Sequence, residues 1–340
     1  MAARSQSIES QWDVPERSLV RTIANLAADN LRTEIADRLS STQIHFALHE
    51  EGADLIVPGH RPLTWAMTPL ARHKGKTSAL AIYEETTTIV LSYLIDRFNA
   101  RVFFDIGAGV GYFSNIAATH SRVPVSVHAF EMCPDRFSKL EATIAKEGLS
   151  NRVTSLLAGI TDTHKGDVEM WYARGMLFES RPDPSEIREA WWRRLKFALR
   201  GDTSRQLRSA NALVTSLDHY TDETGVSPDI IKIDVEGYEG RVLKGGMETF
   251  STRRPFILLE LHKDKKLRFG LHRQDVVQQL FDIGYQALFF TDHQQRRTCN
   301  IIAVGADDPL FARQETDLIL FFHRDYLKER QRANPAVAIS

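Results

Sequence analysis

Short apolar runs alternate with segments of helical periodicity from about residue 100 onward, and this alternation constrains the fold more than any other feature. Parallel strands that are buried on both faces have this pattern, because helices cover both sides of the sheet and no polar alternation is needed. The runs are residues 102–106, 125–130, 152–158, 229–234 and 256–261. Helices are expected at 79–99, 112–120, 135–148, 239–251 and 273–283.

Two more apolar runs, at 285–290 and 317–322, look like closing strands after the last helix. With them the predicted core is a Rossmann-like α/β fold with seven mostly parallel strands. Seven strands distinguish this core from the usual six-stranded dinucleotide-binding fold.

An arginine-rich insertion at about 173–210 interrupts the alternation, between further predicted strands at 167–172 and 211–217. It contains Trp191 and Trp192, and an amphipathic helix docked through its aromatic side is favoured over a substrate lid or a partner surface. Helical spacing at 18–50 predicts one or two N-terminal helices. The predicted division is a helical extension at 1–78, the main domain at 79–325 and a tail at 326–340.

Charge and cysteine content exclude several classes of protein. The formal net charge is -1 over 340 residues, so there is no bulk electrostatic reason to expect a nucleic-acid partner. Cys133 and Cys299 have no metal-ligand spacing and form no disulfide framework, which favours a reducing, cytoplasmic setting. No apolar run approaches the roughly 20 residues needed to span a bilayer.

The hydrophobic N-terminal helices would serve either a homodimer or a roof over an active site.

The strongest local motif, DIGAGVGYF, follows an apolar strand and precedes a helix. Glycines suit a loop whose backbone touches a ligand, because a Cβ would collide with it. The loop is not the NAD-type GxGxxG, which would need glycine where Tyr112 stands. The motif supplies the first predicted cofactor-binding residues, which are Asp105, Gly107, Ala108, Gly109, Gly111, Tyr112 and Phe113.

An acidic residue before alternating glycines is typical of Rossmann-like methyltransferases, where it helps to bind the cationic amino-acid part of S-adenosylmethionine. Asp105 holds that position. Glu131 ends the next strand, where a carboxylate can accept hydrogen bonds from both ribose hydroxyls. Loop and strand-end acid together predict an S-adenosylmethionine site.

The adenine is expected near the end of the third strand, around Ala158, Gly159 and Ile160. Met132 would supply an apolar face, and Asp162 would accept a hydrogen bond from the exocyclic amine. A purely structural role explains these residues almost as well, since small residues and a turn aspartate are common after any strand.

A second motif, IKIDVEGYE at 231–239, places three carboxylates beside an apolar strand. With DIGAGVGYFSN, SLDHY at 216–220 and RPFILLEL at 254–261, it resembles the FkbM family of methyltransferases over roughly residues 80–262. Tyr83 and Glu84 also stand where that family often carries an aromatic-Glu pair. The insertion and the N-terminal 75 residues depart from the minimal pattern.

The resemblance implies a class I methyltransferase fold and methyl transfer from S-adenosylmethionine, usually to a hydroxyl of a sugar or secondary metabolite. The expected partner is therefore a small-molecule or glycan hydroxyl acceptor. Two alternatives stay open, namely a methyltransferase for nitrogen or macromolecules, and a non-catalytic S-adenosylmethionine-binding regulator. The carboxylate cluster disfavours the regulator, since binding alone does not require it.

Methylation of an alcohol calls for a general base, and the ends of the fourth and fifth strands carry four candidates. His262 or Asp234 is the preferred base, with Glu236 as a third catalytic candidate. Asp234, Glu260 and His262 could instead hold a divalent metal. The structural alternatives are a solvent-edge histidine at 262 and a backbone-capping role for Asp234. Glu239 would only cap or begin a helix.

Overall fold

The computed structural model describes residues 28–49, 52–64, 83–173, 176–178, 181, 207–294, 296–323 and 325. Most of the arginine-rich insertion, including Trp191 and Trp192, lies outside these ranges. So do residues 1–27 of the predicted N-terminal extension and the predicted tail at 326–340.

The N-terminal part combines a helix with a β-hairpin. Helix α1 (28–41) buries Leu31, Ile35 and Leu39, which recur every four residues along one face. Strands β1 (His45–His49) and β2 (Gly52–Ile56) then pair antiparallel. The prediction of helix through residue 50 is therefore wrong at β1. Helix α2 (Glu85–Phe98) packs beside α1, and Arg97 bonds Glu34 across the pair at 2.7 Å.

Eleven strands form one sheet in the described part of the chain, so the count of seven is wrong. The central six are parallel and run in the order β10-β9-β3-β4-β5-β8. Antiparallel strands extend both edges, as β12-β11-β13 beside β10 and β6-β7 beside β8. The strands are β3 (Val102–Ile106), β4 (Ser126–Glu131), β5 (Val153–Thr161), β6 (Gly166–Ala173), β7 (Met176–Phe178), β8 (Arg208–Ser216), β9 (Ile230–Ile233), β10 (Phe256–Leu261), β11 (Tyr285–Thr291), β12 (Asn300–Val304) and β13 (Asp317–His323).

The core lies on both faces of this sheet. Phe103 and Phe104 are neighbours in β3 and belong to two separate apolar clusters, because successive side chains of a strand point to opposite faces. This two-sided burial explains the uninterrupted apolar runs. Since the six central strands are parallel, the loops after β3, β4, β5, β9 and β10 meet at one edge of the sheet.

The helices that follow the strands are α3 (Tyr112–Ala118), α4 (Pro134–Lys146), α5 (Leu217–Thr224), α6 (Glu239–Lys244), α7 (Met247–Arg253) and α8 (Arg273–Asp282). The single helix predicted at 239–251 is thus two helices, interrupted at Gly245 and Gly246. A Cβ at Gly245 would lie 2.0 Å from the carbonyl oxygen of Thr161, so the chain passes too close to β5 for any larger residue. No helix in the described ranges is long and apolar enough to cross a membrane.

Candidate active site

A cleft of about 640 Å³ opens at the edge where the parallel strands end. Its wall is formed by the ends of β3, β4, β5 and β9, by residues of β6, and by the loop that follows β10. The cleft therefore lies where open α/β sheets bind ligands. Eight residues singled out from the sequence line it, namely Gly107, Glu131, Met132, Ala158, Gly159, Ile160, Asp234 and Glu236.

Close packing against β9 and α4 accounts for two of the three glycines in the loop, Gly107 and Gly111. Gly107 has φ +85°, and a Cβ there would lie 1.9 Å from the carbonyl oxygen of Asp234 at the end of β9. At Gly111, with φ +89°, a Cβ would lie 2.5 Å from Cδ1 of Leu140. The amides of Gly107 and Ala108 both donate to the carbonyl of Phe130, at 2.9 Å. These contacts hold the loop against β4 and β9 at the floor of the cleft.

Asp105 is buried beneath this loop and is not among the described residues that line the cleft. Its Oδ2 accepts a hydrogen bond from Ser114 Oγ at 2.6 Å, while Oδ1 has no hydrogen-bond partner within the described structure. Burial raises the pKa of Asp105, and Lys232 and the Ser114 hydroxyl oppose the rise only in part. Its predicted contact with the cofactor stays a prediction.

Glu131 lines the cleft at the end of β4. Its Oε2 accepts from the Gly109 amide at 2.8 Å, and its Oε1 from the Cys133 amide at 2.7 Å. Burial raises the pKa of Glu131, against the effect of these amides and of Arg136. Beside it Met132 covers Gly159, where a Cβ would lie 2.4 Å from the Met132 sulfur. The arrangement places a carboxylate next to an apolar shelf, and the contacts of Glu131 with a ribose and of Met132 with an adenine stay predictions.

Three predicted cofactor residues direct their side chains elsewhere. Tyr112 is buried, and its hydroxyl lies 3.1 Å from Thr88 Oγ1. The Phe113 ring lies beneath the ammonium of Lys232, 4.7 Å from the ring centroid. Asp162 forms ion pairs with Arg241 at 2.8 Å and Lys244 at 3.6 Å. The Asp162 carboxylate is thus paired with two cations, and its hydrogen bond from adenine stays a prediction.

Where β9 ends at the cleft, Asp234 pairs with a buried lysine. Lys232 Nζ lies 3.3 Å from Asp234 Oδ2, and Lys232 is only 2% exposed. Burial acts to raise the pKa of Asp234, but Lys232 and His262 outweigh it and hold that pKa below its usual range. Burial and the nearby charges of Asp234 and Glu84 raise the pKa of Glu260. Of the two carboxyl groups, Asp234 is therefore the ionised one at neutral pH, and Glu260 is the one that holds a proton more readily.

His262 is buried, so the solvent-edge alternative is wrong. Its Nδ1 lies 2.6 Å from Glu239 Oε1 and its Nε2 lies 3.4 Å from Glu236 Oε2. Burial opposes protonation, but the hydrogen bond to Glu239 and the surrounding carboxylates outweigh it and raise the pKa of His262. Glu236 has φ +52°, uncommon for a residue other than glycine, and also pairs with Lys266 at 2.7 Å.

The structure brings the three predicted metal ligands together. One donor atom from each of Asp234, Glu260 and His262 can be chosen so that all lie within 4.8 Å of one another. Two carboxylates and an imidazole are a donor set that divalent cations accept. The three donor atoms are close enough to share one ion, and the metal site stays a prediction.

The sequence analysis did not identify two residues that contact this group, namely Lys232 beside Asp234 and Glu239 beside His262. Lys232 is the only charged residue within the apolar run IIKI, and an ionisable group inside a buried strand was the available signal. Glu239 does begin a helix as predicted, but its carboxylate turns back to His262 and to the Gly237 amide, at 3.0 Å. Nothing in the local sequence shows that contact, because the two partners are 23 residues apart.

A family model described as the methyltransferase FkbM domain matches residues 105–287, which is more than half of the chain. No curated protein matches the sequence. Among solved structures, methyltransferase FkbM from Methylobacillus flagellatus is 13% identical with a TM-score of 0.40; the alignment covers 72% of this chain and 56% of that one. The chain thus spans a little over half the length of that protein.

Two solved O-methyltransferase structures match this chain with comparably low sequence identity and TM-score. The S-adenosylmethionine-dependent enzyme from Thermotoga maritima is 11% identical with a TM-score of 0.34, covering 82% of this chain and 76% of that one. The Bacillus cereus enzyme, in complex with S-adenosylhomocysteine, is 12% identical with a TM-score of 0.34, covering 73% and 84%. The match to the family model is what assigns the chain.

Proposed function

The chain belongs to the FkbM methyltransferase family, and from this premise we propose that it transfers a methyl group from S-adenosylmethionine to a hydroxyl oxygen of a sugar, glycan or secondary metabolite. The observation that carries the proposal is that Glu131 and Asp234 line the same cleft. The cleft thus offers one carboxylate for a ribose and a second, ionised carboxylate for a proton.

The cofactor side is built from Glu131 and from the shelf that Met132 and Gly159 form. The Glu131 carboxylate retains acceptor capacity for ribose hydroxyls, because each of its oxygens has more than one lone pair. The shelf offers an apolar face to a purine. Bound there, S-adenosylmethionine would supply the methyl group, and its C–S bond would break as the new C–O bond forms, leaving S-adenosylhomocysteine.

Asp234 is our choice as the general base. It lines the cleft, and Lys232 and His262 keep it ionised, so it can accept the hydroxyl proton at Oδ1 or Oδ2. His262 is the weaker choice for two reasons. Its pKa is raised, and it is not among the described residues that line the cleft. We assign His262 to keeping Asp234 charged and Glu236 to anchoring Lys266.

A divalent metal is a second chemistry for the same site, and it rests on the spacing of Asp234, Glu260 and His262. The three side chains would be its ligands. A metal would lower the pKa of an acceptor hydroxyl and so reduce the need for a base.

The first experiment is isothermal titration of the protein with S-adenosylmethionine and with S-adenosylhomocysteine. Wild type is expected to bind both, and Glu131→Ala to bind at least about tenfold more weakly, since it loses hydrogen bonds to a charged group. Glu141→Ala, an exposed change on α4, is the matched control and should bind as wild type does. Circular dichroism shows whether Glu131→Ala remains folded. A folded wild-type protein that binds neither ligand would overturn the proposal.

A further inference from the structure

We propose that Glu84, the N-cap residue of α2, binds the α-ammonium group of S-adenosylmethionine. This inference rests on the proposed methyl transfer and adds a residue to its cofactor site. It also moves to Glu84 the role that the sequence predicted for Asp105. Asp105 is 1% exposed and accepts from Ser114, whereas Glu84 is half-buried and follows the exposed Tyr83.

The order of the strands indicates where the amino-acid part of the cofactor would lie. Its adenine is predicted at the end of β5, and its ribose is predicted at Glu131, at the end of β4. The sheet continues in the same direction through β3 to β9. A cofactor laid along this edge therefore places its amino-acid part over the ends of β3 and β9.

Ring contacts place Tyr83 and Glu84 beside these two strand ends. The centroid of the Tyr83 ring lies 5.2 Å from that of Tyr112 and 6.3 Å from that of Phe113, the two residues that directly follow the glycine loop. The Phe113 ring in turn lies 4.7 Å from the ammonium of Lys232, on β9. The Tyr83 hydroxyl donates to the Glu84 side chain. Glu84 is thus held where the amino-acid part is expected.

The Glu84 side chain is turned inward and has an unused acceptor. Glu84 has φ +41° and ψ +56°, a left-handed conformation that is uncommon for glutamate, and its side chain does not cap α2. Its Oε2 is buried and has no hydrogen-bond partner within the described structure. Lys232 is close enough for the two charges to interact, but it donates to Asp234. Because a buried oxygen without a donor is unfavourable, a ligand with N–H groups would be stabilised here.

A second unpartnered side chain lies near Glu84. His293 is 2% exposed, and its Nε2 has no hydrogen-bond partner in the described part of the chain. Burial lowers the pKa of His293, and of the nearby charges that of Glu84 opposes this most. A neutral imidazole has one N–H donor. Carboxylate and imidazole together thus offer an acceptor and a donor, as the ammonium and carboxylate of a zwitterionic amino-acid group require.

The test compares three adenosine derivatives by calorimetric titration of the full-length protein. S-adenosylhomocysteine has the complete amino-acid part, its deaminated analogue has hydrogen in place of the ammonium, and methylthioadenosine lacks both charged groups. Wild type should bind S-adenosylhomocysteine about tenfold more tightly than the deaminated analogue, because the analogue cannot form a hydrogen bond between two charged groups. Equal binding of these two ligands by wild type would overturn the inference without any variant.

A variant assigns the preference to one residue. Glu84→Gln should bind S-adenosylhomocysteine about tenfold more weakly than wild type and should no longer prefer it to the deaminated analogue. Its affinity for methylthioadenosine should be unchanged, which also shows that the variant is folded. Glu248→Gln, an exposed change in the first turn of α7, is the matched control and should bind all three ligands as wild type does. A preference that survives in Glu84→Gln, or that is lost in Asp105→Asn instead, would overturn the assignment.

Methylthioadenosine separates this inference from the proposed methyl transfer. If wild type binds methylthioadenosine as tightly as S-adenosylhomocysteine, the amino-acid part is not recognised. The inference then fails while the adenosine site stands. If a folded wild-type protein binds none of the three ligands, the proposed function fails as well.

Discussion

Nδ1 of His262 lies 2.6 Å from Oε1 of Glu239, and the two side chains are 2% and 0% exposed. The Gly237 amide donates to the same oxygen, at 3.0 Å. A buried carboxylate held by two donors makes the imidazolium form of His262 more stable. The pair therefore keeps a positive charge beside Asp234 without occupying the cleft.

Replacing Glu239 should change how stability depends on pH. The pKa of His262 is raised in the folded protein above its unfolded value of about 6.5. Its contribution is therefore fully present below about pH 6.5 and is lost as pH rises through the folded pKa. Chemical denaturation of wild type and Glu239→Gln should show a larger difference in free energy of unfolding at pH 6 than at pH 9. A difference equal at both pH values would contradict this role.

Asp234→Asn should reduce the rate of methyl transfer by roughly 10²- to 10⁴-fold, the usual contribution of a general base. Binding of S-adenosylmethionine should persist, because the amide has the same shape. Steady-state rates and titration of the same preparation separate the two effects, with the exposed Asp222→Asn as control. If His262→Asn abolished transfer while Asp234→Asn left it near wild type, the assignment of the base would be reversed.

Gly107→Ala and Gly109→Ala form a matched pair in one loop. Both positions have positive φ, which costs alanine about 1–2 kcal/mol. A Cβ at 107 also meets the backbone of Asp234, whereas a Cβ at 109 meets nothing within 4 Å. Denaturant midpoints should therefore show the larger loss of stability for Gly107→Ala. Gly107→Ala should also weaken cofactor binding more than Gly109→Ala does. Equal losses would show that φ alone governs the loop.

Metal binding can be tested by thermal unfolding in Mg²⁺ or Mn²⁺. An ion that binds only the folded protein stabilises it by about 2.7 kcal/mol at 100 times its Kd. Glu260→Gln should remove the effect, because it replaces one of the two carboxylate ligands with an uncharged amide. If neither ion shifts the unfolding temperature and a chelator leaves the transfer rate unchanged, Asp234 acts without a metal.

Arg273 and Asp317 form an ion pair at 2.6 Å in which each side chain is 1% exposed. Arg273→Met would leave the Asp317 charge buried and without this partner, which typically costs about 3–5 kcal/mol. The exposed Arg253→Met should change the free energy of unfolding by less than about 0.5 kcal/mol. Urea denaturation of both variants makes the comparison, and similar values would mean that Arg273 is dispensable.

The middle of the parallel sheet was predictable from the sequence because β3, β4, β9 and β10 are buried on both faces. The runs at 102–106 and 256–261 coincide with β3 and β10. The edges were not predictable in the same way. β7 has three residues, and β12 is mostly exposed, so neither has an apolar run long enough to be distinguished from a loop.

Site residues were predictable where they directly follow a strand that the sequence itself identifies. The glycine loop, Glu131 and Asp234 follow directly from strand ends, and the structure brings residues of all three to one cleft. Contacts between distant segments were not predictable, since a local sequence pattern does not show which distant residue a side chain will contact. Asp162 is an example, because its partner Arg241 is 79 residues away. The inward turn of Tyr112 likewise depends on Thr88 of a preceding helix.

The two backbone amides on Glu131 have a thermodynamic consequence for any ligand that reaches it. They fix the rotamer of the carboxylate, so its oxygens are preorganised. A glutamate that had to be ordered on binding would lose up to about 2 kcal/mol of side-chain entropy, and folding has already met that cost here. Affinity for the proposed ribose at this position would therefore be set in part by the backbone amides of Gly109 and Cys133, which substitutions other than proline leave in place.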